Sequence, residues 1–364
     1  MEIIFILSGE HKTLPESEVT ACLEAEKIDF NIKFQDCGIL ILEINGKDYN
    51  LINIIGKRLA YVHEVCKFLF KTSCKNLKED VEKYPWEELV KKDYAVRVKK
   101  STIFESPQTR SVWGIKNRVF ESEVNSVKME QEIGGVIKSK LGENVKVNLE
   151  NPATFIRTIV LDDSILITER IFKVPKKHFY ELKPHKRPFF YPGSMSPKLA
   201  RGMCNLSRVK KGSIVLDPFC GTGGILIEAG IIGAEVIGID IDEKMVEGTI
   251  KNLEYCGIKD YDVFKGDARN IELQFKVDAV VTDPPYGISA STAGVQSKKI
   301  YEDTLFSMQK VIKKDGYICM ATPHYLDIDT LISHTKFKII EQYEIRMHKS
   351  LTRVISVLQP FKKG

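Results

Sequence analysis

Apolar and polar residues alternate with two different periods along this chain, and the change of period divides it. Ile3–Leu7 and Gly38–Ile44 read as strands, with a helical stretch over Glu16–Glu26 between them. The apolar spacing of Gly56–Phe70 predicts a second helix, and Tyr94-Ala95-Val96-Arg97-Val98-Lys99 alternates as an amphipathic strand. A long polar helix is expected over Glu121–Leu141, then strands at Val145–Leu149 and Phe155–Leu161 around Asn151-Pro152. Asp162-Asp163 is expected to turn the chain back into Ile165–Ile171 as a hairpin. From about residue 185 strands and helices alternate regularly, the pattern of a doubly wound α/β domain.

Size and composition narrow the class. A chain of 364 residues with 43% apolar residues is globular and long enough for more than one domain. There is no run of about eighteen apolar residues to span a membrane, and Met1-Glu2-Ile3 is a poor start for a signal peptide. The eight cysteines are scattered without a C-x-x-C pair, which argues against zinc and against a disulfide framework and suits a reducing cytoplasm. The seven histidines form no metal-ligand pattern, so no metal is expected.

Charge is unevenly placed. The net charge is +5, yet residues 171–211 carry eleven Lys or Arg against the single acid Glu181. Residues 1–50 hold ten acids and four lysines. A basic stripe beside an acidic end suits a surface that binds a polyanion.

The chemistry lies in the second half. Ser213-Ile214-Val215-Leu216 runs into Asp217-Pro218-Phe219-Cys220-Gly221-Thr222-Gly223-Gly224, and Ile225–Ala229 follows as a helix. Glycines there let backbone approach a ligand and present helix N-terminal amides. The turn is not G-x-G-x-x-G, which disfavours a nicotinamide site. The next strand, Ala234–Ile239, ends in Asp240-Ile241, and an acid at that place can accept both ribose hydroxyls. A third strand closes on Gly266-Asp267-Ala268-Arg269. Val277–Thr282 then delivers Asp283-Pro284-Pro285-Tyr286-Gly287 at a strand's carboxyl end, where ligands of α/β sheets bind.

These motifs, in this order, resemble the S-adenosylmethionine-dependent amino-methyltransferases, a class I fold with a Rossmann-like sheet. The resemblance implies that Asp217, Phe219, Gly221, Thr222 and Gly223 hold the amino-acid end of the cofactor. Asp240 and Ile241 would meet the ribose, and Asp267 and Ala268 the adenine. The upstream run Lys186-Arg187-Pro188-Phe189-Phe190-Tyr191-Pro192-Gly193-Ser194 resembles the family's extra cofactor motif, adding Tyr191, Pro192 and Ser194 to the site, although Tyr191 stands where histidine is commoner. In the tetrapeptide, the Asp283 carboxylate and Pro284 carbonyl would each accept an N–H from a planar amine, drawing its lone pair toward the methyl donor. Pro284 and Pro285 fix the backbone, and Tyr286 offers a ring face to an extruded base.

Val145–Pro152 followed by Phe155–Val160 resembles the C-terminal half of a THUMP domain, a module that binds the 3′ acceptor end of tRNA. His348–Leu358, with its Ser350-Leu351-Thr352-Arg353 phrase, resembles the closing hairpin of the same enzymes. The chain is therefore similar throughout to the THUMP-containing tRNA guanine-N2 methyltransferases, nearest the archaeal position-10 enzymes. The resemblance implies four parts: a ferredoxin-like unit at 1–55, THUMP at 56–168, a basic linker at 169–186 and the Rossmann-like methyltransferase at 187–364. It further implies tRNA contacts from Asn151, Arg157, Lys173, Lys176, Lys177, Lys186 and Arg187. The substrate amine is expected to be N2 of guanosine 10, methylated once or twice. Guanosine 6, or adenine N6 in DNA, would use the same tetrapeptide. Eukaryotic relatives take a small zinc-binding activating subunit, which nothing in this sequence demands.

Overall fold

The computed structural model describes residues 1–36, 38–45, 49–100, 125–143, 145–161, 164–286, 293–348 and 351–361. Gly287, the Asp162-Asp163 turn and the start of the helix expected over Glu121–Leu141 lie outside them. By its contacts the chain forms two compact units.

The first unit comprises Met1–Glu16, Ile28–Lys57 and Tyr61–Val174. Its strands are β1 (Glu2–Leu7), β2 (Phe30–Asp36), β3 (Ile39–Ile44), β4 (Val62–Thr72), β5 (Asp93–Lys100), β6 (Lys146–Val147), β7 (Thr154–Val160) and β8 (Ile165–Lys173). They form one sheet in the order β2-β3-β1-β4-β8-β7-β5-β6. β5 runs parallel to β6 and β7, and the other pairings are antiparallel. Against one face, Trp86, Tyr94, Ile133, Ile137 and Ile156 form a core cluster. The helix that supplies Ile133 and Ile137 is Ser126–Leu141, capped by the Asn125 side chain accepting from the Lys128 amide.

One reading of the sequence is overturned in this unit, and one strand went unread. Gly56–Phe70 is not a helix: one helix ends at Arg58 and β4 follows, between β1 and β8. The register shifts at Val65/Cys66 and Phe68/Phe70 against β8, so the two-residue alternation that marks a strand is broken and the apolar spacing imitates a helix. Phe30–Asp36 is an edge strand that the apolar pattern did not reveal, because most of its residues face solvent and bury little.

The second unit comprises Ser17–Lys27, Arg58–Ala60 and Pro175–Gly364. Its sheet holds β9 (Ile214–Asp217), β10 (Glu235–Asp240), β11 (Tyr261–Lys265), β12 (Val277–Thr282), β13 (Ile312–Pro323), β14 (Phe337–His348) and β15 (Leu351–Pro360) in the order β11-β10-β9-β12-β13-β15-β14. The first five positions are parallel, and β15 and β14 close the sheet antiparallel. Leu216, Ile237, Val280, Leu305, Ile318 and Met320 lie in one buried cluster on this sheet. The strand order reverses at β9, which opens the crevice in which doubly wound sheets bind ligands.

Residues 17–27 and 58–60 join this unit through buried polar contacts. The Glu18 carboxylate accepts from the Ala60 amide at 2.8 Å and from Asn205 Nδ2 at 2.7 Å. Arg58 Nε donates to Asn205 Oδ1 at 3.0 Å. Burying these groups is tolerable because each finds a partner. Among the described residues, no helix is long and apolar enough to cross a membrane.

Candidate active site

A cavity of about 550 Å³ opens at the carboxyl ends of the parallel strands. Asp217, Asp240, Asp267 and Asp283 all line it, each just past or at the end of a different strand. Four carboxylates far apart in sequence thus face one space, and Asp242, two residues after Asp240, lines it as well.

The glycine turn depends on its backbone. Gly221 and Gly223 have φ of +53° and +76°, and a Cβ on Gly223 would meet the Thr249 methyl at 2.9 Å. The turn is held from three sides. Gly221 N donates to Asp240 Oδ2 at 2.9 Å, Thr249 Oγ1 donates to the Gly221 carbonyl at 2.8 Å, and Asn252 Nδ2 donates to the Thr222 carbonyl at 2.9 Å. Asp217 is 1% exposed, and both Thr282 Oγ1 (2.7 Å) and Phe219 N (3.1 Å) donate to its Oδ1. Burial, against these two bonds, pushes its carboxyl up to about 7.

The upstream motif docks onto this turn. Asn252, fully buried, accepts from Phe189 N at 3.0 Å and donates to the Phe189 carbonyl at 2.9 Å. Ser194 Oγ lies 3.0 Å from Thr222 Oγ1. Tyr191, Pro192 and Ser194 therefore line the cavity beside Phe219, Gly221 and Thr222, and Asp240, Ile241, Asp267 and Ala268 line it further along. Gly223 does not reach the lining; its part is to let the turn close. Ile241 is 65% exposed, an apolar surface at the rim. Arg269, which sequence reasoning passed over, also lines the cavity, with Nε donating to Asp267 Oδ1 at 2.9 Å and holding that carboxyl below the usual carboxylate range. Its place two residues after Asp267 was the only signal that could have found it.

These features suit an adenosyl cofactor with an amino-acid tail: an acid for an amine, a glycine turn for close approach, and acids at two further strand ends.

The tetrapeptide sits over the far end of the same cavity. Asp283 and Pro285 line it, whereas Pro284 is buried and Tyr286, half-buried, is not among the lining residues. The Tyr286 hydroxyl donates to Asp283 Oδ1 and accepts from Arg353 Nε at 2.6 Å. Arg353 Nη2 pairs with Asp283 Oδ2 at 3.0 Å. Tyr301 donates its hydroxyl to the Pro284 carbonyl at 3.4 Å, and Tyr325 to the Tyr286 carbonyl at 2.7 Å. Burial pushes the Asp283 carboxyl up, with Arg353 and then Tyr286 drawing it back. The packing of Cys220 agrees with a structural thiol: it is buried, and burial raises it well above the ordinary thiol range.

Two of the residues expected to contact RNA are committed elsewhere. Arg157 makes a two-point pair with Glu64 (2.6 and 2.7 Å), and Arg187 is 5% exposed with Nε donating to the Leu182 carbonyl. Neither guanidinium is presented to a phosphate, and the expectation for both is corrected on that ground. Asn151, Lys173, Lys177 and Lys186 are exposed and Lys176 is half-buried. Lys186 Nζ lies 3.4 Å from the centre of the exposed Tyr180 ring.

Comparison with known proteins places this geometry. A family model described as RMKL-like, methyltransferase domain, matches residues 184–355, and one described as DNA methylase matches residues 19–252, a span that ends before Asp283. The crystal structure of TrmN from Thermus thermophilus matches over 99% of this chain and 100% of that one, with a TM-score of 0.56 at 18% identity, a likeness of fold. The tRNA (guanine(10)-N2)-dimethyltransferase of Methanothermobacter thermautotrophicus is 45% identical over 359 residues, covering 99% of each chain. That of Methanocaldococcus jannaschii is 36% identical, over 97% of this chain and 98% of its own. Similarity of this extent, from end to end and through every strand that supplies a cavity acid, makes the chain a member of the tRNA (guanine(10)-N2)-dimethyltransferase family.

Proposed function

We propose that this protein methylates the exocyclic N2 amine of guanosine 10 in tRNA, twice, with S-adenosylmethionine as methyl donor. The observation that carries the reading is the position of Asp283, beside the glycine turn and the other acids that line one cavity. The full-length likeness to two guanosine-10 dimethyltransferases supports the substrate, and favours it over guanosine 6 and over DNA adenine.

The geometry supports the residue roles that the family resemblance implies. Asp217 receives the cofactor's amine, Asp240 the ribose hydroxyls, and Asp267 with Ala268 the adenine, with Ile241 as an apolar cover. Tyr191, Pro192, Ser194, Phe219, Gly221 and Thr222 complete the walls. The cofactor supplies an already activated sulfonium methyl, so the protein need not provide a covalent nucleophile. What the chain provides is acceptors. For the first methyl the Asp283 carboxylate and the Pro284 carbonyl take the two N–H groups of the guanine amine, and for the second one of them takes the single N–H that remains. Each time the positive charge that grows on nitrogen is stabilised and its proton passes to Asp283. The Pro284 carbonyl already accepts from Tyr301 and keeps a second lone pair for this. Pro285 fixes the turn, and Tyr286 lends its ring to the extruded base.

For the rest of the chain we propose the four parts set out above, with 56–168 acting as a THUMP module on the acceptor end. Asn151, Lys173, Lys176, Lys177 and Lys186 would contact the RNA, and the site of action is the cytoplasm. The test is methyl transfer from labelled S-adenosylmethionine to a full-length tRNA transcript, with the modified nucleotide mapped. N2,N2-dimethylguanosine at position 10, lost when that base is changed to adenosine, is the expected result. Label only at position 6, or only in DNA, overturns it.

A further inference from the structure

The closing hairpin places one cation where the methyl-transfer site has need of it. Arg353 lies in β15, in register with Pro323 of β13 and Ile345 of β14, and only 8% of its side chain is exposed. Its Nη2 pairs with Asp283 Oδ2 at 3.0 Å, its Nε donates to the Tyr286 hydroxyl at 2.6 Å, and that hydroxyl donates to Asp283 Oδ1. The three side chains close a ring that fixes both carboxylate oxygens. Arg353 does not line the cofactor cavity.

We propose that Arg353 is a positioning residue for methyl transfer: it keeps Asp283 ionised and aimed, so that the carboxylate accepts the N–H of the target amine. This rests on the reading of Asp283 given above.

The argument is one of charge. Asp283 shares its cavity with Asp217, and the charge of each disfavours ionisation of the other. Among the described residues, Asp240, Asp242 and Asp267 line the same cavity, and the groups nearest Asp283 besides Arg353 are hydroxyls: Tyr286 from its own loop and Tyr301 from the helix Ala293–Val311, with Tyr325 bonded to the Tyr286 carbonyl. Burial pushes both carboxyls up, toward the protonated form. A protonated carboxyl can donate to the amine's lone pair, which opposes the reaction. Arg353 is the cation that breaks the symmetry between the two acids. It stands against Asp283, and Asp217 is left to ionise when a cationic amine arrives. The planar guanidinium suits this task, since it reaches carboxylate and phenol from one fork.

The experiment measures kcat and KM for tRNA methylation across pH for the intact protein and for Arg353→Gln and Arg353→Lys, with cofactor affinity followed by calorimetry. Arg353→Gln is expected to bind cofactor normally and leave KM for tRNA little changed. Its kcat at neutral pH should fall about 100-fold, and the acidic limb of the kcat profile should move up by about one to three pH units. Arg353→Lys, which keeps the charge, should hold the limb nearer its original place. An unmoved limb in Arg353→Gln, or an equal shift in both variants, overturns the proposal. Should Arg353→Gln fail to bind cofactor and so to fold, a limb in Arg353→Lys that rises as far as the loss of a cation requires overturns it equally. If the unmodified protein does not methylate guanosine 10 at all, the fault lies in the proposed function.

Discussion

Gly248 lies directly beneath the Phe189 ring, so close that a Cβ at position 248 would overlap the ring's Cγ, Cδ1 and Cε1 atoms. The helix Glu243–Tyr255 thus carries a glycine where its interior would ordinarily favour another residue, and the space holds the upstream cofactor motif against the turn. Asn252, four residues on and so on the same helix face, secures the same Phe189 by its backbone.

Gly248→Ala is therefore expected to cost about 1–3 kcal/mol by overpacking. It should also weaken S-adenosylhomocysteine binding, because Tyr191, Pro192 and Ser194 are displaced with Phe189. Phe189→Ala added to Gly248→Ala should recover part of the stability. A thermal-melt cycle over the four proteins checks this: a non-additive term is expected, and simple additivity would show that the two residues do not clash.

Asp217 gives the protein a pH dependence. Its folded carboxyl is pushed up to about 7, above its unfolded value near 3.8. Its contribution to stability is thus fully present below about pH 4 and is lost as pH rises through 7. The cofactor-free Asp217→Asn protein should accordingly gain stability relative to the unmodified one between pH 5 and pH 8. Affinity for S-adenosylhomocysteine should rise with pH up to about 7 and then level, since its amine needs the carboxylate. In Asp217→Asn affinity should be low and flat. Calorimetry at several pH values measures both.

Asp283→Asn preserves shape but removes charge. It should leave cofactor affinity close to normal while lowering kcat for tRNA methylation by about 10²-fold or more. Loss of the Asp283 charge also relieves Asp217, so the pH at which cofactor affinity levels should fall. A variant with unchanged kcat would remove Asp283 from the reaction.

Lys177 and Lys186 are exposed and on the basic stretch. The double change to alanine should weaken tRNA binding and lower the slope of log affinity against log salt by roughly one per lysine. Filter binding at several salt concentrations would reveal it. Arg157→Ala should act differently, destabilising the first unit by leaving the buried Glu64 carboxylate only its longer pair with Arg170 at 3.5 Å.

Much of the active site could be read from the sequence because its parts are short and local. A strand ending in Asp217 and a glycine turn must place an acid and free amides at one strand end, wherever that strand lies. The same holds for Asp240, Asp267 and Asp283, and parallel alternation then brings the four ends to one side of the sheet. The strand at Val62–Thr72 was hidden because bulges erased its period. Arg157 and Arg187 were expected to meet RNA because a resemblance of sequence records residue type and not the carboxylate or burial that awaits it. Only the tertiary structure decided that Ser17–Lys27 and Arg58–Ala60 belong with the catalytic sheet, through Glu18, Arg58 and Asn205. It alone decided, too, that Arg353, on the last strand, meets Asp283. No spacing encodes either, since each depends on the order in which strands lie in a sheet. That order is fixed by long-range burial, whereas a motif is fixed by the conformations open to a few neighbouring residues.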